Sequence, residues 1–373
     1  METEDFLDLL GRRFECSCGR VHEVGLRKIL SGRGVIEGLG ELLEELGLGD
    51  KVCIVFDRIT REVLGVRIAE TLSSSGFRVG EIVVEGAYMG DVERVEEALG
   101  DCGAAVAVGG GSVIDVCKLA SYRRQTPFIS VPTTLSQDAM ASGNASIIGG
   151  NGLKRTYRAW PPLAVVFELE VLERQPRRFI SAGVADMMAK ATCLKDWELG
   201  RDEKSEYYCP LAAELSHSTF HEVVRFVEED MNNLETLALS LLKSGLAMTI
   251  AGSSRPSSGA EHLFAHYIDR HTHGRILHGE QVGIGTLALA YYHKLHNPRW
   301  WREEVYQWRS LRRILEKADA PTKLEDIGVG EELAVAALCH APEVRPERYT
   351  ILHKRPISPG EARVVLREVG LLS

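Results

Sequence analysis

Residues 104–108, AAVAV, run without a polar side chain into Gly109, Gly110, Gly111 and Ser112, and a helical pattern follows over 113–122. A strand covered on both faces reads as a continuous apolar run, so this order fits a buried parallel strand handing over to a helix. The same alternation recurs around it. KVCIVF at 51–56 reads as a buried strand, and 61–75 as an amphipathic helix. VGEIVV at 79–84 is a second strand and 91–99 a second helix; 128–131 is a further strand, closed by Pro132-Thr133-Thr134. Strands alternating with helices predict an α/β domain around a parallel sheet.

After about Pro162 the character changes. Helical patterns at 176–200, 211–221, 232–252, 259–270, 280–293 and 300–317 follow, with almost no strand-like run. The expected organisation is an α/β dinucleotide-binding domain over 1–168 and an all-α metal- and substrate-binding domain over 169–373, with Pro161-Pro162 as hinge. A chain of 373 residues has room for two such cores.

The glycine turn has a physical use. Without a Cβ the backbone can approach a ligand closely, and the unpaired N–H groups of the following helix face an anion. Ser112 adds a hydroxyl at or near the N-cap. The run is neither G-x-G-x-x-G nor a Walker loop, so a tight strand–helix turn without ligand is an equal reading. Asp57, just past the strand 51–56, suits ribose hydroxyls and disfavours a 2′-phosphate, whereas Arg58 beside it favours one. NAD and NADP both stay open.

The formal net charge of −9 excludes a nucleic-acid polyanion as the natural partner. A site for an anionic substrate must therefore be locally basic. The acidic start METEDFLDLL does not read as a signal peptide, and no run approaches the ~18 apolar residues of a membrane span. Eight cysteines are scattered at 16, 18, 53, 102, 117, 193, 209 and 339. Cys16 and Cys18 form the one close pair. A C-x-C without a second pair nearby is a weak metal signal, so these thiols are expected to be packing or surface groups in a cytoplasmic protein.

The helical half carries the strongest chemistry. In GAEHLFAHYID, His262 and His266 are four residues apart and share one helix face. His278 follows sixteen residues after His262, at the start of another helical run. Two neutral imidazoles suit Zn²⁺ or a similar divalent ion. Asp186, in the otherwise apolar SAGVADMM, is a carboxylate that needs a cation if buried. Three protein ligands leave the open position that catalysis requires. The loop 132–145, PTTLSQDAMASGNA, follows a strand and is polar, which is where open α/β sheets place ligands. There Asp138 can accept a hydrogen bond from a substrate hydroxyl.

These segments occur in one order: G-G-G-S-V-I-D-V-C-K at 109–118, P-T-T-x-x-x-D at 132–138, G-V-A-D at 183–186, E-H-L-F-A-H at 261–266 and H-G-E-Q-V-G-I-G-T at 278–286. Together they resemble the superfamily of iron-containing alcohol dehydrogenases, glycerol dehydrogenase and dehydroquinate synthase. S-S-R-P-S-S-G-A-E-H at 253–262, D-W-E-L at 196–199 and P-T-T-L-S-Q-D-A-M-A-S at 132–142 are most similar to its sn-glycerol-1-phosphate dehydrogenase branch. The resemblance spans roughly residues 30 to 300. It implies a dehydroquinate synthase-like fold with the site in a cleft between its domains.

It further implies that Asp186, His262 and His278 ligate one divalent metal, usually zinc, with iron or nickel in relatives. By the same resemblance His266 is a second histidine near the substrate, and Asp138 meets the substrate hydroxyl. Gly109, Gly110, Gly111 and Ser112 form the pyrophosphate loop of NAD(H) or NADP(H). Asp57, Asp115, Thr133, Thr134 and Ser142 complete the cofactor set. Arg forks match phosphate, so Arg255 is the first candidate for a substrate phosphate, with Lys154, Arg155 and Lys190 as alternatives.

The expected reaction is reversible, metal-assisted reduction of dihydroxyacetone phosphate to sn-glycerol 1-phosphate, a glycerophospholipid backbone. The partners expected are a phosphorylated triose and further copies of the chain, with no membrane insertion. Glycerol dehydrogenase on unphosphorylated polyols and a dehydroquinate synthase-like cyclase are the alternatives within the fold. A nucleotide-binding regulatory protein is the alternative outside it, and an intact ligand set speaks against that.

Overall fold

The computed structural model describes residues 6–150, 152, 154–272 and 274–372. Met1–Asp5, the first part of the acidic start read above, lie outside the described residues. The chain divides into two compact units. One is built from Val21–Gln175; the other runs from Pro176 onward and also takes in Glu15–Arg20. The division thus falls between Gln175 and Pro176, and Pro161-Pro162 lies within the sheet unit.

The N-terminal hairpin pairs β1 (Arg13–Glu15) with β2 (Val21–Glu23). The sheet unit then contributes β3 (Lys28–Gly32), β4 (Lys51–Phe56), β5 (Arg78–Val83), β6 (Ala104–Gly109) and β7 (Phe128–Pro132). It continues with β8 (Asn144–Ile148), β9 (Lys154–Arg158) and β10 (Ala164–Glu168). Six of these form one parallel sheet in the order β3-β10-β7-β6-β4-β5. The central strands are covered on both faces: every residue of β6, β7 and β10 is buried, and all are apolar except Ser130 and Glu168. Phe56, Leu64, Ile68, Leu72, Val106 and Val166 belong to one of its cores.

The register pairs Gly109 with Pro132, so the glycine turn and the Thr133-Thr134 loop leave the sheet side by side at its carboxyl end. That edge is where open α/β sheets bind ligands.

Four strands named from sequence are present with ends shifted by no more than a residue. The helix expected over 61–75 is interrupted. Arg58–Thr60 is α, Arg61–Gly65 is a wider π turn, and Val66–Ser74 is α again. A Cβ on Gly65 would lie 2.7 Å from the Phe56 ring, so the π turn sits flush against β4. The strands β3 and β10 and the antiparallel hairpin β8–β9 were not expected.

The helical unit contains Arg177–Met188, Lys190–Lys204, Pro210–Glu228, Leu234–Ala251, Ala260–Thr272 and His278–His296. The single helix expected over 176–200 is two, divided at Ala189. Leu234–Ala251 is long and apolar enough by mean hydropathy to cross a membrane, but it carries Glu235 and Lys243 and 72% of it is buried inside the protein. Its Lys243 is buried and ion-paired to Glu222 at 2.5 Å, as a core helix allows.

Candidate functional site

In the sheet unit, β6 ends at Gly109, Gly110 is the N-cap, and the helix Gly111–Arg124 begins at once. The glycines do different work. A Cβ on Gly109 would lie 2.7 Å from Val113, and one on Gly111 would lie 1.9 Å from the Gln137 side-chain amide. At Gly109 the obstacle is the branched Val113 side chain; at Gly111 it is the far end of the flexible Gln137 side chain, which can move aside. At Gly110 the nearest neighbour is the Thr134 hydroxyl, at 3.2 Å. Gly110 has no side chain to cap the helix, and uncapped N–H groups at a helix start can receive an anion. Ser112 lies inside the first turn, two residues after the N-cap, and is exposed. The Thr133 hydroxyl is buried and finds no hydrogen-bond partner among the described residues, while its amide donates to the Gly109 carbonyl at 3.1 Å. Thr134 is half-buried beside Gly110.

The remaining cofactor candidates have structural partners. Asp57 caps the short helix after β4: its Oδ1 accepts from the Thr60 amide at 2.7 Å, and Thr60 Oγ1 accepts from the Asp57 amide. Asp115 is buried; its Oδ1 accepts from Lys118 Nζ at 3.0 Å and its Oδ2 from the Ser146 amide at 2.9 Å. Lys118, fully buried, also donates to the carbonyls of Ala139 (2.6 Å) and Asn144 (2.8 Å). Ser142 is buried, with its hydroxyl on the same two carbonyls. Asp115 and Ser142 therefore fasten the segment 139–146 to the helix. Lys118 is the centre of that network and was not singled out from sequence. Asp138 opens a short 3₁₀ turn, Asp138–Ala141, and is half-buried. Lys154 and Arg155 are exposed on β9.

In the helical unit the predicted ligands converge. Asp186, His262 and His278 each offer one ligand atom, and these atoms lie within 4.8 Å of one another. His262 Nε2 is 3.5 Å from Asp186 Oδ1. Glycines make this convergence possible. A Cβ on Gly279 would lie 1.9 Å from the Ala182 carbonyl oxygen, and one on Gly283 3.0 Å from Ala185. A Cβ on Gly285 would lie 2.9 Å from the Glu261 carbonyl oxygen. The His278–His296 helix thus presses against both ligand-bearing helices along its H-G-E-Q-V-G-I-G-T face. Glu280 locks its start, accepting from the Leu277 amide at 3.1 Å and from Arg178 at 2.5 and 2.7 Å.

The surroundings orient the donors. Glu261 Oε1 accepts from His262 Nδ1 at 2.8 Å and from the Gly259 amide at 2.6 Å; its Oε2 accepts from Thr192 at 2.7 Å. This fixes the proton on Nδ1 and turns the Nε2 lone pair toward Asp186. Asp196, the first residue of D-W-E-L, accepts from the Ala260 amide at 2.7 Å and the Ile351 amide at 2.6 Å, which anchors the start of the ligand helix.

Burial alone would raise the Asp186 pKa. The His262 hydrogen bond and the charges of Lys190, His278 and His262 outweigh it and hold the carboxyl well below its ordinary range. Burial alone would lower the His262 pKa, and the carboxylates of Asp186 and Glu261 raise it instead. Two buried carboxylates flanking one imidazole, with a second imidazole in reach, fit a divalent cation. His266 is half-buried, its ring stacked on His278 at 5.7 Å.

Lys190 is buried, and its charge reaches Asp186. Arg255 is buried in a bidentate pair with Glu206, with Nε donating to Oε1 at 2.6 Å and Nη2 to Oε2 and to the Tyr349 carbonyl. Its Nη1 alone is left without a partner among the described residues. The expected phosphate fork is therefore turned onto a carboxylate. Arg348 was missed because the C-terminal region carries no motif. It is buried and donates to the Ser258 carbonyl at 2.6 Å and to Ser254 Oγ at 2.8 Å, pinning the segment before the ligand helix.

The chain matches known proteins throughout. Residues 30–176 match the family model described as iron-containing alcohol dehydrogenase. Glycerol-1-phosphate dehydrogenase [NAD(P)+] of Pyrococcus horikoshii is 39% identical over 93% of this chain and 98% of its own length. The protein of that name from Methanosarcina acetivorans is 37% identical over 93% and 96%. Among solved structures, a probable glycerol dehydrogenase from Sinorhizobium meliloti superposes with a TM-score of 0.72 at 21% identity, over 92% of this chain and 96% of that one. Glycerol dehydrogenase from Schizosaccharomyces pombe gives 0.74 at 19%, over 92% and 89%. With 39% identity to the Pyrococcus horikoshii protein over nearly the full length of both chains, the protein belongs to the glycerol-1-phosphate dehydrogenase family, within the iron-containing alcohol dehydrogenases.

Proposed function

We propose that this chain reduces dihydroxyacetone phosphate to sn-glycerol 1-phosphate with NADH or NADPH, reversibly, and so supplies a glycerophospholipid backbone. The observation that carries the reading is the Asp186–His262–His278 cluster in a chain 39% identical to an enzyme named for that activity. Asp186, His262 and His278 hold one divalent ion, with zinc the natural fit to two imidazoles and one carboxylate. When bound, such an ion supplies Lewis acidity to a ketone oxygen.

The chain's own residues do the rest. Glu261 keeps His262 in the tautomer that presents Nε2. His266, stacked on His278, carries the proton exchanged with the product hydroxyl. Asp138 accepts a hydrogen bond from a substrate hydroxyl. Gly110 and the open first turn of Gly111–Arg124 receive the dinucleotide pyrophosphate, and Thr133 and Thr134 line that loop. Ser112, exposed in the first turn, can contact the pyrophosphate, and Asp57 can contact the ribose with the oxygen not held by Thr60.

Lys190 is the preferred phosphate ligand. Its positive charge is buried within reach of the Asp186 cluster, whereas the Arg255 fork is committed to Glu206. Lys154 and Arg155 remain the exposed alternatives. The test is oxidation of NADH and NADPH by the zinc-loaded protein with dihydroxyacetone phosphate against dihydroxyacetone, with the product enantiomer resolved. Preference for the phosphorylated ketone with sn-glycerol 1-phosphate as product supports the reading. Equal use of both ketones favours a glycerol dehydrogenase.

A further inference from the structure

Three of the thiols expected to be scattered packing or surface groups come together. The turn between β1 and β2 carries Cys16-Ser17-Cys18-Gly19. Gly19 adopts φ +81°, its amide donates to the Cys16 carbonyl at 2.9 Å, and the Cys16 amide donates to the Arg20 carbonyl at 3.0 Å. This closes a tight turn around the C-x-C pair. Cys209 is buried at the N-cap of Pro210–Glu228, and its Sγ lies 3.8 Å from Cys16 Sγ across 193 residues of sequence. The sulfurs of Cys16, Cys18 and Cys209 all lie within 4.8 Å of one another.

We propose that Cys16, Cys18 and Cys209 hold a structural zinc ion, in a second metal site separate from Asp186, His262 and His278.

The distances favour an ion over a disulfide. A disulfide needs its sulfurs about 2.05 Å apart. A tetrahedral ion with metal–sulfur bonds of about 2.3 Å places its sulfurs about 3.8 Å apart, which matches the Cys16–Cys209 separation. Three thiolates select zinc over calcium or magnesium. Held by two thiols of one turn and one at a helix start, the ion is a clip. It fastens the hairpin turn to the start of Pro210–Glu228, closing a long loop of chain.

The outer contacts suit the charge. Tyr207 Oη lies 3.2 Å from Cys18 Sγ, in place to donate to a thiolate. The Arg20 guanidinium stands 3.3 Å over the Tyr207 ring centroid. Three thiolates on Zn²⁺ carry a net negative charge, and Arg20 offsets it.

Cobalt(II) distinguishes the two sites, because only this one contains sulfur. The full chain, purified reduced, is expected to bind about two metal equivalents, since each site takes one ion. The cobalt-loaded protein should show thiolate-to-cobalt charge-transfer absorption in the near ultraviolet. Cys18→Ser and Cys209→Ser should each abolish those bands and remove one equivalent, while Asp186→Asn leaves the bands in place. If Cys209→Ser does not fold, Cys18→Ser, in the hairpin turn, gives the same reading. Absence of the bands in reduced wild-type protein overturns the proposal, as does their persistence in Cys18→Ser. A Cys16–Cys209 disulfide found by peptide mapping of protein purified without reductant also overturns it. None of these readouts depends on the dehydrogenase activity.

Discussion

Gly279 stands so close to Ala182 that a single added carbon would lie 1.9 Å from the Ala182 carbonyl oxygen. The two helices meet backbone to backbone one residue from His278 and four from Asp186. Gly279→Ala must therefore push His278–His296 away from Arg177–Met188, and no flexible side chain can absorb the shift. Overpacking of this kind costs on the order of 1–3 kcal/mol. The expected outcome is a lower urea midpoint for the metal-free protein together with weaker zinc binding. An unchanged zinc dissociation constant would mean that the ligand cluster does not depend on this approach.

Glu261 is a buried carboxylate that touches the ligand through His262 Nδ1 and has no place in the ligand set itself. Glu261→Gln keeps the shape and removes the charge. An amide must also present an N–H₂ where the carboxylate accepted from Gly259 or Thr192. Loss of such an outer partner typically weakens metal binding by ~10- to 100-fold. Zinc competition against a chromophoric chelator measures it directly. Native affinity in Glu261→Gln would show that His262 needs no help in choosing its tautomer.

The sequence showed more of the sheet than of the site. Lys51–Phe56 and Ala104–Gly109 were legible because a strand buried on both faces needs no partner to be recognised. The convergence of Asp186, His262 and His278 was legible from the sixteen-residue histidine spacing and a lone carboxylate in an apolar helix, before the ordered motifs were set beside a known family. Lys118 was not, because its four oxygen contacts come from Asp115 and from residues 139–144, and nothing in D-V-C-K announces a buried amine. Cys209 could not be joined to Cys16 and Cys18 by spacing at all; only folding brings residue 209 to residue 16. Arg255 was placed beside the right helix, but its pairing with Glu206 was not legible, since Glu206 lies 49 residues away in sequence.

Metal binding should depend on pH with a definite sign. In the metal-free protein the His262 pKa is raised above its ordinary 6.5 by Asp186 and Glu261, against the opposing effect of burial. A raised pKa means that the bound proton stabilises the metal-free fold fully below about 6.5, and that this contribution is lost as pH rises through the raised value. Asp186, held low, stays ionised across the range. Zinc must displace the His262 proton, so the gap in melting temperature between zinc-loaded and chelator-treated protein should widen from acid toward neutral pH. Thermal melts at a series of pH values check this. A gap independent of pH would show that His262 is already neutral without metal.

Lys190 and Arg255 make opposite predictions for substrate choice. Arg255 is buried with its charge matched bidentately by Glu206, and Nη2 also holds the Tyr349 carbonyl. Arg255→Ala should therefore act on the fold. It leaves Glu206 without its partner and should cost on the order of 2–4 kcal/mol of stability, less than a fully buried pair because Glu206 is part-exposed. What turnover survives should fall by the same factor for dihydroxyacetone phosphate and dihydroxyacetone. Lys190→Gln should instead discriminate. Removing a charge-assisted contact to phosphate corresponds to ~30- to 1000-fold in catalytic efficiency on the phosphorylated ketone. Dihydroxyacetone, lacking the phosphate, should lose only the smaller share that comes from weaker support of Asp186. Saturating zinc in both assays separates that second effect from the first. Steady-state kcat/KM for the two ketones, in both variants, reads the four numbers needed. Equal losses in Lys190→Gln would confine Lys190 to holding Asp186 ionised and pass the phosphate to Lys154 or Arg155. A phosphate-selective loss in Arg255→Ala would mean that its Nη1 binds substrate in spite of Glu206.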